Sequence, residues 1–196
     1  MNCNHVTQHP EGTQATSVLI QQFIAQTFLA YYGARISSFC THLLGIRDSN
    51  GSLCAAAGYN LAEDGVLFLE QYLDTPIEMH VKQRLGFDIQ RGDLVEVGNL
   101  ATQHAGGARM LIRLMTEHLH HINRHWVVFT GTTQLINSFN RMGLPTLKLS
   151  PANPNKISNP DTWGSYYTNR PWVVLGNIAL GYAHLARVKN TPAVAL

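Results

Sequence analysis

The chain has 196 residues, 45% of them hydrophobic and 13% charged, a balance that suits one compact domain with a full core and excludes general disorder. A formal charge of +2, with no run of Lys or Arg, is too small a basic surplus for a nucleic-acid partner. Three cysteines, Cys3, Cys40 and Cys54, are odd in number and lack metal-ligand spacing, so reduced thiols in a cytoplasmic protein are expected.

Residues 1–16 are polar and read as a flexible segment before a single domain over 17–190. They contain neither the basic nor the apolar region of a signal peptide. No apolar run approaches the ~18–20 residues of a membrane span. From Ser17, SVLIQQFIAQTFLAYYGA places apolar residues at 19, 20, 23, 24, 28 and 31, a helical stripe with Ser17 as N-cap and Gly33 as stop. ISSFCTHLLGIRDSNGSLCAAAGYN reads as two strands around the turn DSNG, with Cys40 and Cys54 as small core residues of that hairpin. GVLFLEQYL reads as a short strand or strand-to-loop segment, and PIEMHVKQRLG as a helix opened by Pro76.

DLVEVGNLA is a strand whose internal Gly98 marks a bulge or a close backbone approach. ARMLIRLMTEHLHHINR is an amphipathic helix, HWVVFTGT a buried strand, and QLINSFNRMG a helix closed by Gly143. SPANPNKISNPDTWGSYYTNRP reads as a long loop, and PWVVLGNIALGYAHL as one or two final strands. This alternation predicts a mixed α/β single domain.

Between the strand ending at Leu100–Ala101 and the next helix stands TQHAGGA. The first amides of a helix lack internal partners and, with the helix dipole, form an anion site. Small residues such as Gly106, Gly107 and Ala108 let a phosphate approach those amides; the alternative is a merely tight turn. No GK[ST] follows, which excludes a P-loop, and G-x-G-x-x-G is absent, which excludes a Rossmann fingerprint.

Gln103, Gly106 and Ala108 match Q/R-x-x-G-x-G/A, and the segment resembles the pyrophosphate loop of GNAT-type acyltransferases. The strings LFLEQYLDTPIE, VEVGNLA, AGGARMLI, WVVFTGT, LINSFNRMGLP and WGSYY, between residues 67 and 167, resemble the bacterial thermostable-hemolysin family. The middle of the chain is also similar to acyl-homoserine-lactone synthases, but Glu96-Val97-Gly98-Asn99-Leu100 stands where they have E-x-S-R-F. Gly-Asn in place of Ser-Arg argues against a homoserine-lactone product. The resemblance implies a GNAT-like acyltransferase fold and an N-acyltransferase. Its donor would be acyl-CoA or acyl-carrier protein, its acceptor the amine of an amino acid or related small molecule, and no metal would be needed. A membrane-active lytic protein, which the family name suggests, and a non-catalytic module that binds acyl carriers are the alternatives.

Acyl transfer to an amine needs a held thioester, a base for the ammonium and a donor for the thioester oxygen. Glu96, in the apolar run LVEVGNL, is the candidate base, since burial would raise its pKa; the alternative is a structural pair with Arg91 or Arg84. Glu70 is the second candidate, and Asn99 is expected to orient the acceptor or the pantetheine amides. The expected donor-binding residues are Leu100 and Ala101 on a splayed strand edge, the loop Gln103, His104, Ala105, Gly106, Gly107, Ala108 and Arg109, and Asn137. Tyr72, Trp163, Tyr166 and Tyr167 are expected around the substrate. Many GNAT enzymes place an acidic tyrosine at the position of Phe139, so Tyr166 or Tyr167 would protonate the leaving thiolate here, or it leaves unaided. His121 and His125 are spaced i, i+4, but a third ligand is missing.

Overall fold

The apolar stripes of the helices close over both faces of one six-stranded sheet. The computed structural model describes residues 14–104 and 106–190. Most of the expected flexible segment, residues 1–13, lies outside the described residues, as does Ala105 of the glycine loop.

Helix α1 (Gln14–Tyr32) begins three residues before Ser17 and ends at Gly33, whose φ of +66° stops it. Strands β1 (His42–Arg47) and β2 (Leu53–Leu61) form the hairpin, its turn held by Asp48 Oδ1, which accepts the N–H groups of Asn50 and Ser52. Helix α2 (Ile77–Leu85) follows Pro76. Next come β3 (Leu94–Thr102), α3 (Gly107–His121), β4 (Trp126–Gly131) and α4 (Thr133–Arg141). Strands β5 (Thr146–Pro151) and β6 (Trp172–Asn177) and helix α5 (Ile178–Asn190) follow. The strand order is β1-β2-β3-β4-β6-β5. Among the described residues only the β3–β4 pair is parallel, as a strand–helix–strand crossover through α3 requires.

One face of the sheet packs on α1, on α2 and on the segments 62–76 and 152–171, burying Leu69, Ile77, Val128 and Leu175 in one core and Ile24, Phe28 and Tyr166 in another. The opposite face packs on α3, α4 and α5, burying Val95, Leu111, Met115 and Ile178.

Three sequence expectations are corrected. The segment read as a short strand or strand-to-loop stretch holds a 3-10 turn (Phe68–Tyr72), because the Leu67 amide serves Glu70 and the Phe68 and Leu69 amides serve Glu96. The last apolar stretch is one strand and a helix: Asn177 Oδ1 accepts the N–H of Leu180, and residues 178, 181, 182 and 185 turn inward at helical spacing. The loop over 150–171 is three 3-10 turns preceded by the edge strand β5, which ends in Pro151.

Candidate active site

Strands β3 and β4 pair from Leu94/Trp126 to Val97/Phe129 and no further, although β3 runs on to Thr102 and β4 to Gly131. They part after Val97, so the splayed edge expected near Leu100 is present. On its other side, β3 pairs Gly98 with Gly58 and Ala101 with Ala56 of β2. Asn99 and Leu100 thus oppose Ala57 alone, a β-bulge in which Asn99 takes φ +54°. The extra residue resets the alternation. Val95, Val97 and Leu100 all face α3, whereas Glu96 and Ala101 face the α1 side.

A cavity of about 210 Å³ occupies this gap. Its α1-side wall includes Phe28, Tyr72, Glu96 and Trp163; its α3-side wall includes Leu111, Met115, Ile178 and Gly181. The two halves join where the strands part, so a polar chamber around Glu96 communicates with an apolar one under α3 and α5.

Glu96 is 4% exposed. Its Oε2 accepts the Phe68 N–H (2.8 Å) and its Oε1 the Leu69 N–H (2.9 Å), the donors that a short helical turn leaves without internal partners. Burial, the largest influence, pushes the carboxyl up to about 7; the two amides and the Asn60 side chain pull it down, and the Glu70 charge adds to the rise. Among the described residues no Arg, Lys or His forms an ion pair with it. The pairing of Glu96 with Arg91 or Arg84 does not form.

Arg91 instead grips Glu70 through two bonds, Nη1–Oε1 (2.8 Å) and Nη2–Oε2 (2.9 Å), and also reaches Glu78 (2.8 Å). Glu70 further accepts the N–H groups of Leu67 and Ile77. Burial alone would raise its pKa, but the Arg91 bonds and the amides more than reverse this and hold it ionised. Glu70 is not part of the cavity wall. It shapes the turn whose next amides hold Glu96.

Asn99 does not face the gap with its polar groups. Its Oδ1 accepts the Cys40 N–H (2.8 Å) and its Nδ2 donates to the Ser38 carbonyl (3.2 Å), clamping the segment that precedes β1. Cys40 therefore precedes β1 and lies outside the hairpin that the sequence predicts for it, and it lines the cavity. The paired glycines Gly58 and Gly98 make its seat: a Cβ at Gly58 would stand 2.6 Å from the Cys40 Cβ, and one at Gly98 3.2 Å from its sulfur. Burial first, then the Glu96 charge, push this thiol up to about 12. Cys54 is buried, and its thiol donates to the Ile46 carbonyl.

Tyr72, Trp163 and Tyr166 line the cavity, and Tyr167 meets Tyr72 hydroxyl to hydroxyl at 2.5 Å. Tyr166 is buried and donates to the Thr130 carbonyl (3.2 Å); burial raises its pKa. Trp163 and Tyr166 pack on Phe28, tying the loop to α1. Phe139 stacks on Phe129 (centroids 4.8 Å) in the cavity wall.

The glycine loop divides its duties. A Cβ at Gly107 would lie 3.1 Å from the Thr102 Cβ, so this glycine lets α3 start close against β3. A Cβ at Gly106 would meet nothing within 4 Å, and the residue is exposed at the helix start. Gln103, His104 and Arg109 are exposed around it, and Ala108 is half-buried. Leu100 lines the cavity, Ala101 is buried against α1, and Asn137 is exposed on α4, outside the cavity wall. His121 ends α3, and His125 lies beyond it, where its Nδ1 pairs with Asp93 (3.0 Å). Among the described residues no three His, Cys, Asp or Glu side chains are grouped to hold a metal ion. Sequence reasoning missed Cys40, Asn60 and Thr130 as wall residues, because strand register alone brings them to the gap.

The thermostable hemolysin family model matches residues 10–182. The chain belongs to the thermostable hemolysin family. No curated protein sequence matches it. Its fold is shared by solved structures of low identity. The apo form of TofI has a TM-score of 0.63 at 15% identity, covering 93% of this chain and 95% of that one. FeeM, an N-acyl amino acid synthase from uncultured soil microbes, gives 0.60 at 11% identity, covering 91% and 94%. BjaI, a CoA-dependent acyl-homoserine lactone synthase solved with SAM and isopentyl-CoA, gives 0.58 at 12%, covering 92% and 86%. The family member thus shares the GNAT-like fold of these three structures, as its sequence motifs imply.

Proposed function

We propose that this thermostable-hemolysin family member is an N-acyltransferase that moves an acyl group from acyl-CoA or acyl-carrier protein to the amine of an amino acid or related small molecule. The observation that carries the reading is Glu96, a buried carboxyl with a near-neutral pKa beside a strand gap that opens into an apolar chamber. An acceptor entering on the α1 side loses an ammonium proton to Glu96. The amine nitrogen then attacks the thioester carbonyl in the gap, the C–S bond breaks, and the thiolate leaves toward the start of α3. The second proton of the attacking nitrogen passes to the thiolate, which otherwise leaves unaided, because the Tyr166 hydroxyl donates to the Thr130 carbonyl and burial makes it a weaker acid. Asn99, engaged with Ser38 and Cys40, is a clamp on the acceptor side rather than a group that binds the acceptor. That use of the bulge, with Gly98 before it, favours an N-acyl amino acid product over a lactone. The acceptor class is that of FeeM, an N-acyl amino acid synthase.

The apolar chamber favours a donor longer than acetyl. Each additional buried methylene is worth about 0.8 kcal/mol, or roughly a fourfold gain in kcat/KM. Thiol release from acetyl-, butyryl-, hexanoyl- and octanoyl-CoA, with an amino acid mixture as acceptor, measures this. The specificity constant is expected to climb along the series. A preference for acetyl-CoA, or no release with any of these donors or with octanoyl-loaded acyl-carrier protein, would sink the reading. The lytic alternative is tested on the same preparation: lipid-free protein is expected to leave dye-loaded vesicles intact, and leakage at nanomolar protein would favour direct lysis. Among the described residues no helix is long and apolar enough to cross a membrane.

The phosphates of the donor are assigned to the open helix start at Gly106. CoA at ~100 times its dissociation constant should stabilise the protein by about 2.7 kcal/mol in a thermal melt. Gly106→Glu places a carboxylate where nothing else stands, at φ −75°, which any residue adopts, so the fold is expected to persist while the CoA shift disappears. Gly107→Val would be a poorer probe, since its side chain would strike Thr102 instead of the ligand. A full CoA shift in Gly106→Glu would move the phosphates elsewhere.

A further inference from the structure

Four buried side-chain polar atoms have no hydrogen-bond partner among the described residues: Thr75 Oγ1, His80 Nε2, Arg124 Nε and Thr130 Oγ1. Only Thr130 belongs to the cavity wall. It stands one residue past Phe129, the last β4 position that pairs with β3, and so at the passage between the two chambers. In the main chain it opposes Val173 of β6, and its carbonyl accepts the Tyr166 hydroxyl. Among the described residues of the cavity wall, its hydroxyl is the buried side-chain polar atom without a partner. A buried hydroxyl without a partner is a standing cost, and a valine of the same shape would avoid it.

We propose that Thr130 is a positioning residue for the acyl donor, its hydroxyl donating a hydrogen bond to the thioester carbonyl oxygen as the acyl group crosses from the Glu96 chamber to the apolar one. The assignment rests on the acyltransferase reading. It names the one thing that reading lacks on the β4 side of the gap, a donor for the oxygen on which negative charge develops. One step about χ1 exchanges the hydroxyl with the methyl on the same Cβ, so the group can turn to the ligand without backbone movement. No bond is made or broken at Thr130 and it takes up no proton.

The test uses Thr130→Val, which preserves the β-branched shape, with Thr130→Ser as the conservative control. Three probes are compared in thermal melts and titrations: octanoyl-CoA, S-octyl-CoA (the thioether without a carbonyl oxygen) and CoA. Free Thr130→Val is expected to melt no lower than wild type, because the hydroxyl it removes has no partner in the free protein. Its affinity for octanoyl-CoA should fall about fivefold, the worth of one net hydrogen bond, while S-octyl-CoA and CoA bind as to wild type. Thr130→Ser should bind octanoyl-CoA normally. Equal losses for the ester and the thioether, or no loss for either, overturn the assignment. So does a clear drop in the melting temperature of free Thr130→Val, which would mean that the hydroxyl already serves the fold. Failure of wild type to bind any of the three probes, or the same octanoyl chain on acyl-carrier protein, overturns the acyltransferase reading, and this assignment with it.

Discussion

Glu96→Gln is expected to bind CoA and to lose turnover by roughly 10²-fold or more per folded molecule. Glutamine keeps the volume but offers one acceptor oxygen, where the carboxylate takes both the Phe68 and the Leu69 N–H. The variant is therefore also expected to melt lower, and turnover must be normalised to the fraction that shows a CoA shift. The pH profile separates chemistry from structure. A base must be ionised, so wild-type activity should rise through an acidic limb near pH 7, where burial has placed the Glu96 carboxyl, and the variant should lack that limb. Stability runs the other way. A carboxyl raised above its unfolded value stabilises the fold most below about pH 4.5, and this contribution is lost as pH climbs to about 7. The stability advantage of wild type over Glu96→Gln should shrink across that window and level off above it. Wild-type turnover in well-folded Glu96→Gln would remove Glu96 from the chemistry.

Arg91→Met should cost about 3 kcal/mol in denaturant unfolding, the low end for breaking a buried ion pair, because the arginine side chain retains 27% exposure. The loss exceeds that of a surface bridge because one guanidinium closes a whole segment. Its Nε donates to the Ala62 carbonyl, its Nη2 to the Gly65 carbonyl, and its fork binds Glu70 and Glu78. Lysine cannot reproduce that fork, so Arg91→Lys should recover only part of the loss. Activity should fall too, since residues 62–78 include the amides that hold Glu96. Here the pH sign is that of an ordinary paired carboxylate. Glu70 titrates below its unfolded value, so its contribution is present above about pH 4.5 and is lost on acidification. Arg91→Met should flatten that acid limb. A loss below about 1 kcal/mol, typical of an exposed pair, would show that the network is decorative.

Much of this was legible in order along the chain. The stripe at 19, 20, 23, 24, 28 and 31 announced α1, although Leu19 and Tyr31 stand exposed beside its buried face; DSNG announced the hairpin, and Gly98 inside an apolar strand announced the bulge. Local signals suffice for these because their cause is local: periodicity, a turn side chain, a missing Cβ. The family strings extended that reading to the fold and to the strand-to-helix loop.

Long-range register decided the rest. VVLGNIALGYAHL and GVLFLEQYL are apolar runs too short to separate strand from helix or turn; the Asn177 cap and the claims of Glu70 and Glu96 on backbone amides settled them. Whether Arg91 met Glu96 or Glu70 was undecidable from spacing, since both carboxylates lie within reach of a folded chain. The Gly58–Gly98 pairing that seats Cys40, and the parting of β3 from β4 that leaves Thr130 beside a cavity, join residues 32 or more apart. A sequence determines the periodicities and the residue types available. Which carboxylate is neutralised and which is left buried without a counter-charge is fixed only when strands pair, because desolvation and hydrogen bonding act through space.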